Sequence, residues 1–228
     1  ESDVLADVRG LALDAEAGRL YWANLDEADR RGGLYAADTD GSNLTTVVPN
    51  LELPHDVALD LVNDHVYWTE ILDSGPMQRG AIRRADLDGT NIVDIVSPEA
   101  GRFRGVDVDP VGGKVYWTDL DCDCILRSDL DGTNRETILD ASDGVNRPHD
   151  VAVDAAAGEI YWTEGISNSD DPTGRIRKAA LDGSNPADVY TGLPSFIRDL
   201  TFTALDVGEI FSDGFESGDT SLWTAEVP

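Results

Sequence analysis

Basic charge is scarce in this chain of 228 residues, where 17 Lys and Arg stand against 45 Asp and Glu for a formal net charge of −28. Lysine contributes only Lys114 and Lys178. Such a field repels nucleic-acid backbones and anionic bilayers, so neither is expected as a partner. Two cysteines exclude a disulfide-rich module. No apolar run reaches the length of about 18 residues that spans a bilayer, and membrane insertion is not expected. Capped helical periodicity is missing as well, which points to an all-β chain. The sequence also lacks a Gly-rich phosphate loop, a Gly-x-Ser-x-Gly elbow and His-Glu-x-x-His, so no residue is assigned to catalysis.

What the chain does have is a pulse. Tyr-Trp, a small or polar residue and then an acid or its amide recur at Tyr21 to Asn24, Tyr67 to Glu70, Tyr116 to Asp119 and Tyr161 to Glu164. The intervals of about 46, 49 and 45 residues match a four-stranded propeller blade better than most helical repeats. Ahead of each pulse lies a short alternating apolar run ending in Asp: Leu11 to Asp14, Val57 to Asp60, Val106 to Asp109 and Val151 to Asp154. Behind it lies a third run that closes on Asp-Gly-Ser/Thr-Asn, at Asp40 to Asn43, Asp88 to Asn91, Asp131 to Asn134 and Asp182 to Asn185. That tetrapeptide predicts a tight turn, since Asp bonds its own backbone and Gly accepts positive φ. A fourth run follows, as at Thr45 to Val48.

Taken together, Gly-x-Ala-Val-Asp, Tyr-Trp-Thr-Asp and Leu-Asp-Gly-Ser/Thr-Asn resemble the YWTD repeat of the low-density lipoprotein receptor class B family, whose repeats form β-propellers. The resemblance covers roughly residues 9 to 203. The family normally closes six blades beside epidermal-growth-factor-like modules, and this chain departs on both counts. The fold expected is an all-β propeller with four complete four-stranded blades at 9–203. A degenerate fifth blade and tail then occupy 204–228, and an N-terminal strand at 1–8 closes the ring. The fifth blade starts at Ile197-Arg198-Asp199-Leu200 and offers Gly208-Glu209-Ile210-Phe211-Ser212 where Tyr-Trp is due. Closure within one chain removes the free sheet edge. Donation of the strand to the next molecule instead builds rings or filaments, so self-association stays open beside it. The tail Phe211 to Trp223 resembles a C-terminal segment of secreted bacterial proteins, and Glu1 suits a processed export product. An extracellular or cell-surface protein of bacterial type is expected.

Candidate function sits on one face. In a propeller the loop leading into the inner strand shares a face with the loop between strands two and three. There the segments 23 to 33, 69 to 80 and 163 to 174 read as long and dissimilar, suited to binding. At the start of the inner strands stand Arg9, His55, Arg104, His149 and Arg198, five equivalent positions holding only Arg or His. They form either a collar that receives a protein or an acidic ligand through guanidinium contacts, or a set of internal pairs with carboxylates such as Asp56, Asp150 and Asp199. No cofactor is required by this reading. Ca²⁺ has candidate ligands in Asp26, Glu27 and Asp29, in Asp119, Asp121 and Asp123, and in Asp170 with Asp171, because hard cations collect six to eight oxygens. The Asp-x-Asp-Gly runs read as turns. His55 and His149 with Asp56 and Asp150 offer a Zn²⁺ donor set, and His65 reads as a surface residue. Cys122 and Cys124, flanking Asp123, are open to a disulfide, free thiols or a soft metal. Asn43-Leu44-Thr45 fits a glycosylation acceptor. A propeller hydrolase or lyase with an axial site is the alternative from a different class.

Overall fold

The structure is a computed structural model that describes residues 7–26, 30–72, 78–165, 174–193 and 200. Four four-stranded antiparallel sheets follow one another along the chain, each in simple meander order. The first holds β1 (Val8–Asp14), β2 (Arg19–Asp26), β3 (Arg31–Asp38) and β4 (Thr45–Glu52). The second holds β5 (Pro54–Asp60), β6 (His65–Leu72), β7 (Arg79–Asp86) and β8 (Val93–Ala100). The third runs through β9 (Phe103–Asp109), β10 (Lys114–Asp119), β11 (Cys124–Asp129) and β12 (Glu136–Leu139). The fourth is β13 (Pro148–Asp154), β14 (Glu159–Gly165), β15 (Gly174–Ala180) and β16 (Ala187–Leu193). The arrangement is a β-propeller: the first strands of the blades face a common axial cavity, lined by Val57, Val106, Asp107, Val151 and Leu200 among others. Helix is confined to one 3-10 turn at Ala141–Asp143 among the described residues, and none of their helices is long and apolar enough to cross a membrane.

The Tyr-Trp pair is the seam between blades. Successive residues of a strand point to opposite faces, so the Tyr reaches forward and the Trp back. Tyr21 shares a core with Trp68, Tyr67 with Trp117, and Tyr116 with Trp162. Those three tryptophans are fully buried, each contributing a few kcal/mol. The acid two positions after each of these three tryptophans accepts a hydrogen bond, from the returning chain in the case of Glu70 and Asp119. Glu70 accepts from the Glu52 amide at 2.8 Å, Asp119 from the Arg102 amide at 2.9 Å, and Glu164 from the indole of Trp162 at 2.6 Å.

The threonine between them ties blade to blade. Thr118 Oγ1 accepts from the Gly105 amide at 3.0 Å and donates to the His149 carbonyl of the next blade at 3.0 Å. Thr69 does the same with the Asp56 amide and the Arg104 carbonyl. The opposite face carries the four predicted turns. Asp40, Asp88, Asp131 and Asp182 each accept from the amide two residues on at 2.9 Å. Glycines are required here for two reasons, seen at Gly132: its φ is 85°, and a Cβ would lie 2.0 Å from the Ile95 carbonyl oxygen of the preceding blade.

One sequence expectation changes. Pairing reaches Asp26↔Arg31, Leu72↔Arg79 and Gly165↔Gly174, so residues 23–26 and 31–33, 69–72 and 79–80, and 163–165 and 174 are hairpin ladder rather than loop. The fifth blade, the segment 1–8 short of Asp7, and the tail lie outside the described residues, save Leu200. Its amide donates to Asp150 Oδ2 at 2.5 Å, the place that the Val106 amide takes on Asp56 Oδ2 at 2.8 Å.

Candidate functional site

The inner strands of successive blades begin in alternation, Arg-Gly in the first and third and His-Asp in the second and fourth. Packing explains this. A Cβ at Gly10 would lie 2.3 Å from Asp56 Oδ1, and one at Gly105 would lie 2.5 Å from Asp150 Oδ1. Each Asp therefore occupies the space its neighbour's Gly leaves. Asp56 gives Oδ1 to the Val57 amide and Oδ2 to the Val106 amide, both at 2.8 Å. Asp150 binds the Val151 and Leu200 amides in the same way. These carboxylates serve as clasps between blades, through backbone amides.

Above the clasps, the basic side chains of the first three blades converge. Arg104 Nη1 lies 2.8 Å from both Nδ1 and Nε2 of His55, and Arg9 Nη1 lies 3.1 Å from Nδ1. Arg9 Nε also pairs with Asp7 at 2.8 Å. A guanidinium can only donate, so the imidazole of His55 must accept. A neutral ring has one lone pair for that purpose and a protonated ring has none. Arg9, His55 and Arg104 are all partly buried. Guanidinium groups gathered at one imidazole are chemically suited to a carboxylate, as Arg9 shows with Asp7. The structure brings these three together; His149 begins the fourth blade and Arg198 lies outside the described residues. His65, at the opposite end of its blade, is 3.7 Å from Asp86.

Of the acidic candidates, Asp119, Asp121 and Asp123 hold backbone amides or an arginine. Asp119 Oδ1 accepts from the Arg102 and Asp121 amides, both at 2.9 Å. Asp121 pairs with Arg102 Nε at 2.6 Å, and Asp123 accepts from the Arg147 amide at 2.7 Å. Among the described residues, the group of donors near enough to share one ion is Asp119 with Cys122 and Cys124, within 4.8 Å of one another. Cys122 and Cys124 are joined by a disulfide. Asp170, Asp171, Glu27 and Asp29 lie outside the described residues.

The sequence reading missed Asp107. It faces the axial cavity where the other three blades have Ala12, Ala58 and Ala152, a difference visible in the aligned repeats. Its Oδ1 accepts from the Val108 amide at 2.8 Å and its Oδ2 from the Val153 amide of the next blade at 2.7 Å. Loss of water around it nonetheless outweighs those bonds and pushes its carboxyl up to about 6.

Comparison with known proteins agrees with the propeller fold. Residues 113–155 match the low-density lipoprotein receptor repeat class B family. The chain is 30% identical over 198 residues to a low-density lipoprotein receptor-related protein 1 of Pyricularia oryzae, covering 77% of this chain and 64% of that one. It is 30% identical over 170 residues to protein cueball of Drosophila yakuba, covering 71% of this chain and 24% of the other. It thus spans less than two thirds of either relative. Among solved structures, a nidogen/laminin complex superposes with a TM-score of 0.71 at 25% identity, over 86% of this chain and 69% of that one.

Proposed function

We propose that this chain, which carries a low-density lipoprotein receptor class B repeat at residues 113–155, is an extracellular protein-recognition propeller whose collar face receives an acidic segment of its partner. The observation that carries the reading is the convergence of Arg9, His55 and Arg104 at the start of the inner strands, in a protein whose net charge is −28. A carboxylate docking there meets two guanidinium donors on a rigid scaffold, with the surrounding acid rejecting ligands that miss the collar. The relatives support a binding role, since one is named as a receptor-related protein and the structural neighbour is a nidogen/laminin complex.

The test is binding of an oligo-aspartate peptide by the full chain and by an Arg9→Ala, Arg104→Ala double variant. Charge-assisted contacts of about 1.5–3 kcal/mol each predict at least a tenfold loss of affinity, with the melting midpoint held within a few degrees. Equal affinity of the two proteins refutes the collar. A collapse of the midpoint would mean that the arginines mainly hold the ring together.

A second feature favours closure of the ring by the chain's own last blade. Leu11 and Leu13 occupy the positions of Val57 and Leu59 at the next seam, yet are 50% and 49% exposed. Asp150 clasps the Leu200 amide as Asp56 clasps that of Val106, so the chain continues beyond the fourth blade with the same contact that joins the blades before it. Light scattering distinguishes closure from strand exchange: a monomer that stays monomeric without residues 1–8 supports closure, and a polymer that falls to monomer on that deletion supports exchange.

A further inference from the structure

The disulfide between Cys122 and Cys124 contributes little as a staple. It encloses one residue, and the chain on either side is already held, because Asp119 and Cys124 are partners in the β10–β11 ladder. Stabilisation by a disulfide shrinks with the loop it closes, so the pair calls for another role. Cys122 is exposed, whereas Cys124 is buried. Between them Asp123 is held at a φ of 53°, in the left-handed region that a non-glycine residue seldom enters. The loop is fixed there by the bond from the Arg147 amide of the next blade. A third donor faces the sulfurs. Asp119 Oδ1 is occupied by two amides, while Oδ2 lies against Gly101, where a Cβ would come within 2.5 Å of it.

We propose that Cys122–Cys124 is a reversible thiol–disulfide pair whose reduced form, with Asp119, is a binding site for a thiophilic divalent cation of the Zn²⁺ class. Reduction needs an external dithiol. Its thiolate attacks the exposed Cys122 sulfur, the S–S bond breaks, and Cys124 leaves as thiolate. The reagent's second thiol then attacks its own sulfur in the mixed disulfide and releases Cys122, so two electrons and two protons pass to the protein and the reagent ends as a disulfide. Two thiolates and one carboxylate oxygen fill three corners of a tetrahedron, and water fills the fourth. Binding expels the thiol protons. The donor set selects against Ca²⁺ and Mg²⁺, which take oxygen ligands. In the oxidised form neither sulfur is a thiolate, so the disulfide gates the site.

The experiment is a Cd²⁺ titration of the full chain, oxidised or reduced and freed of reagent, followed by the ultraviolet charge-transfer absorption of cadmium thiolate. Reduced protein is expected to take one equivalent and oxidised protein none. Cys122→Ser should abolish the band. Asp119→Asn keeps an oxygen acceptor for the Arg102 and Asp121 amides and should weaken binding at least tenfold, whereas Asp121→Asn should leave it unchanged. Circular dichroism verifies the fold of each variant. The proposal is overturned if reduced protein shows no band, if Asp119→Asn binds as tightly as the parent, or if uptake is half an equivalent with dimer formation, which would place the ion between two chains.

Discussion

Replacing Thr118 by Val removes one oxygen and keeps the side-chain shape. Thr118 is fully buried, and its hydroxyl serves two groups in different blades, the Gly105 amide and the His149 carbonyl, each at 3.0 Å. Valine leaves both in a dry seam with no replacement for that hydroxyl. An orphaned buried polar group costs about 1–3 kcal/mol, so the two together cost roughly 2–6 kcal/mol. For a chain of this size each kcal/mol moves the melting midpoint by about 2–4 °C, giving a fall of roughly 4–24 °C. Denaturant unfolding supplies the free energy directly, with an unchanged slope confirming that the unfolded state is the same. Thr118→Ser, which keeps the hydroxyl, should recover most of the loss. A Val variant within about 0.5 kcal/mol of the parent would refute the bridge, because that is the range of neutral substitutions. In the first blade Ala23 stands at the same place and has no hydroxyl to offer.

Three more outcomes follow from the same geometry. Asp107 titrates near 6 in the folded chain against about 3.9 when unfolded, so the folded state binds more protons between these values and stability falls as pH rises from about 4 to 6, by at most about 3 kcal/mol; Asp107→Ala should flatten that part of a melting-midpoint profile, and an unchanged slope refutes the assignment. Gly132→Ala should destabilise by about 2–3 kcal/mol, from the strained φ and the Ile95 carbonyl in its path; calorimetry showing less than about 1 kcal/mol would mean the turn shifts freely. Asp56→Ala should cost about 2 kcal/mol in denaturant unfolding by releasing the Val57 and Val106 amides, and no loss would show that the clasp is idle.

The repeat made the blades legible because its residues are the ones that a seam needs. Tyr and Trp adjacent on a strand must face opposite neighbours, and Asp-Gly-Ser/Thr-Asn leaves the backbone one tight turn to make. The equivalence of Arg9, His55 and Arg104 was legible, since they align in the repeats. Their partners were not. Which residue meets which across a seam depends on the stagger between blades, and sequence periodicity does not encode it. Asp56 and Asp150, offered in one of the two alternatives as partners for the basic side chains, also hold backbone amides. The hairpins reach further than loop-like composition suggested, because cross-strand pairing at Asp26↔Arg31 and Leu72↔Arg79 overrides weak local preference. Asp107 departs from an alanine column and was overlooked because a lone carboxylate in a propeller core is legible only once its two amide partners are in place.

The chain holds its own reporters, for it has three histidines, and they divide between the two faces: His55 and His149 begin inner strands, while His65 begins β6 at the other end of its blade. The central claim is tested most directly by following their ring resonances in a nitrogen-15 correlation spectrum during titration with an oligo-aspartate peptide. The account predicts a saturable shift at His55, a smaller one at His149 and none at His65. Shifts confined to His65, or none at His55 at saturation, would contradict it.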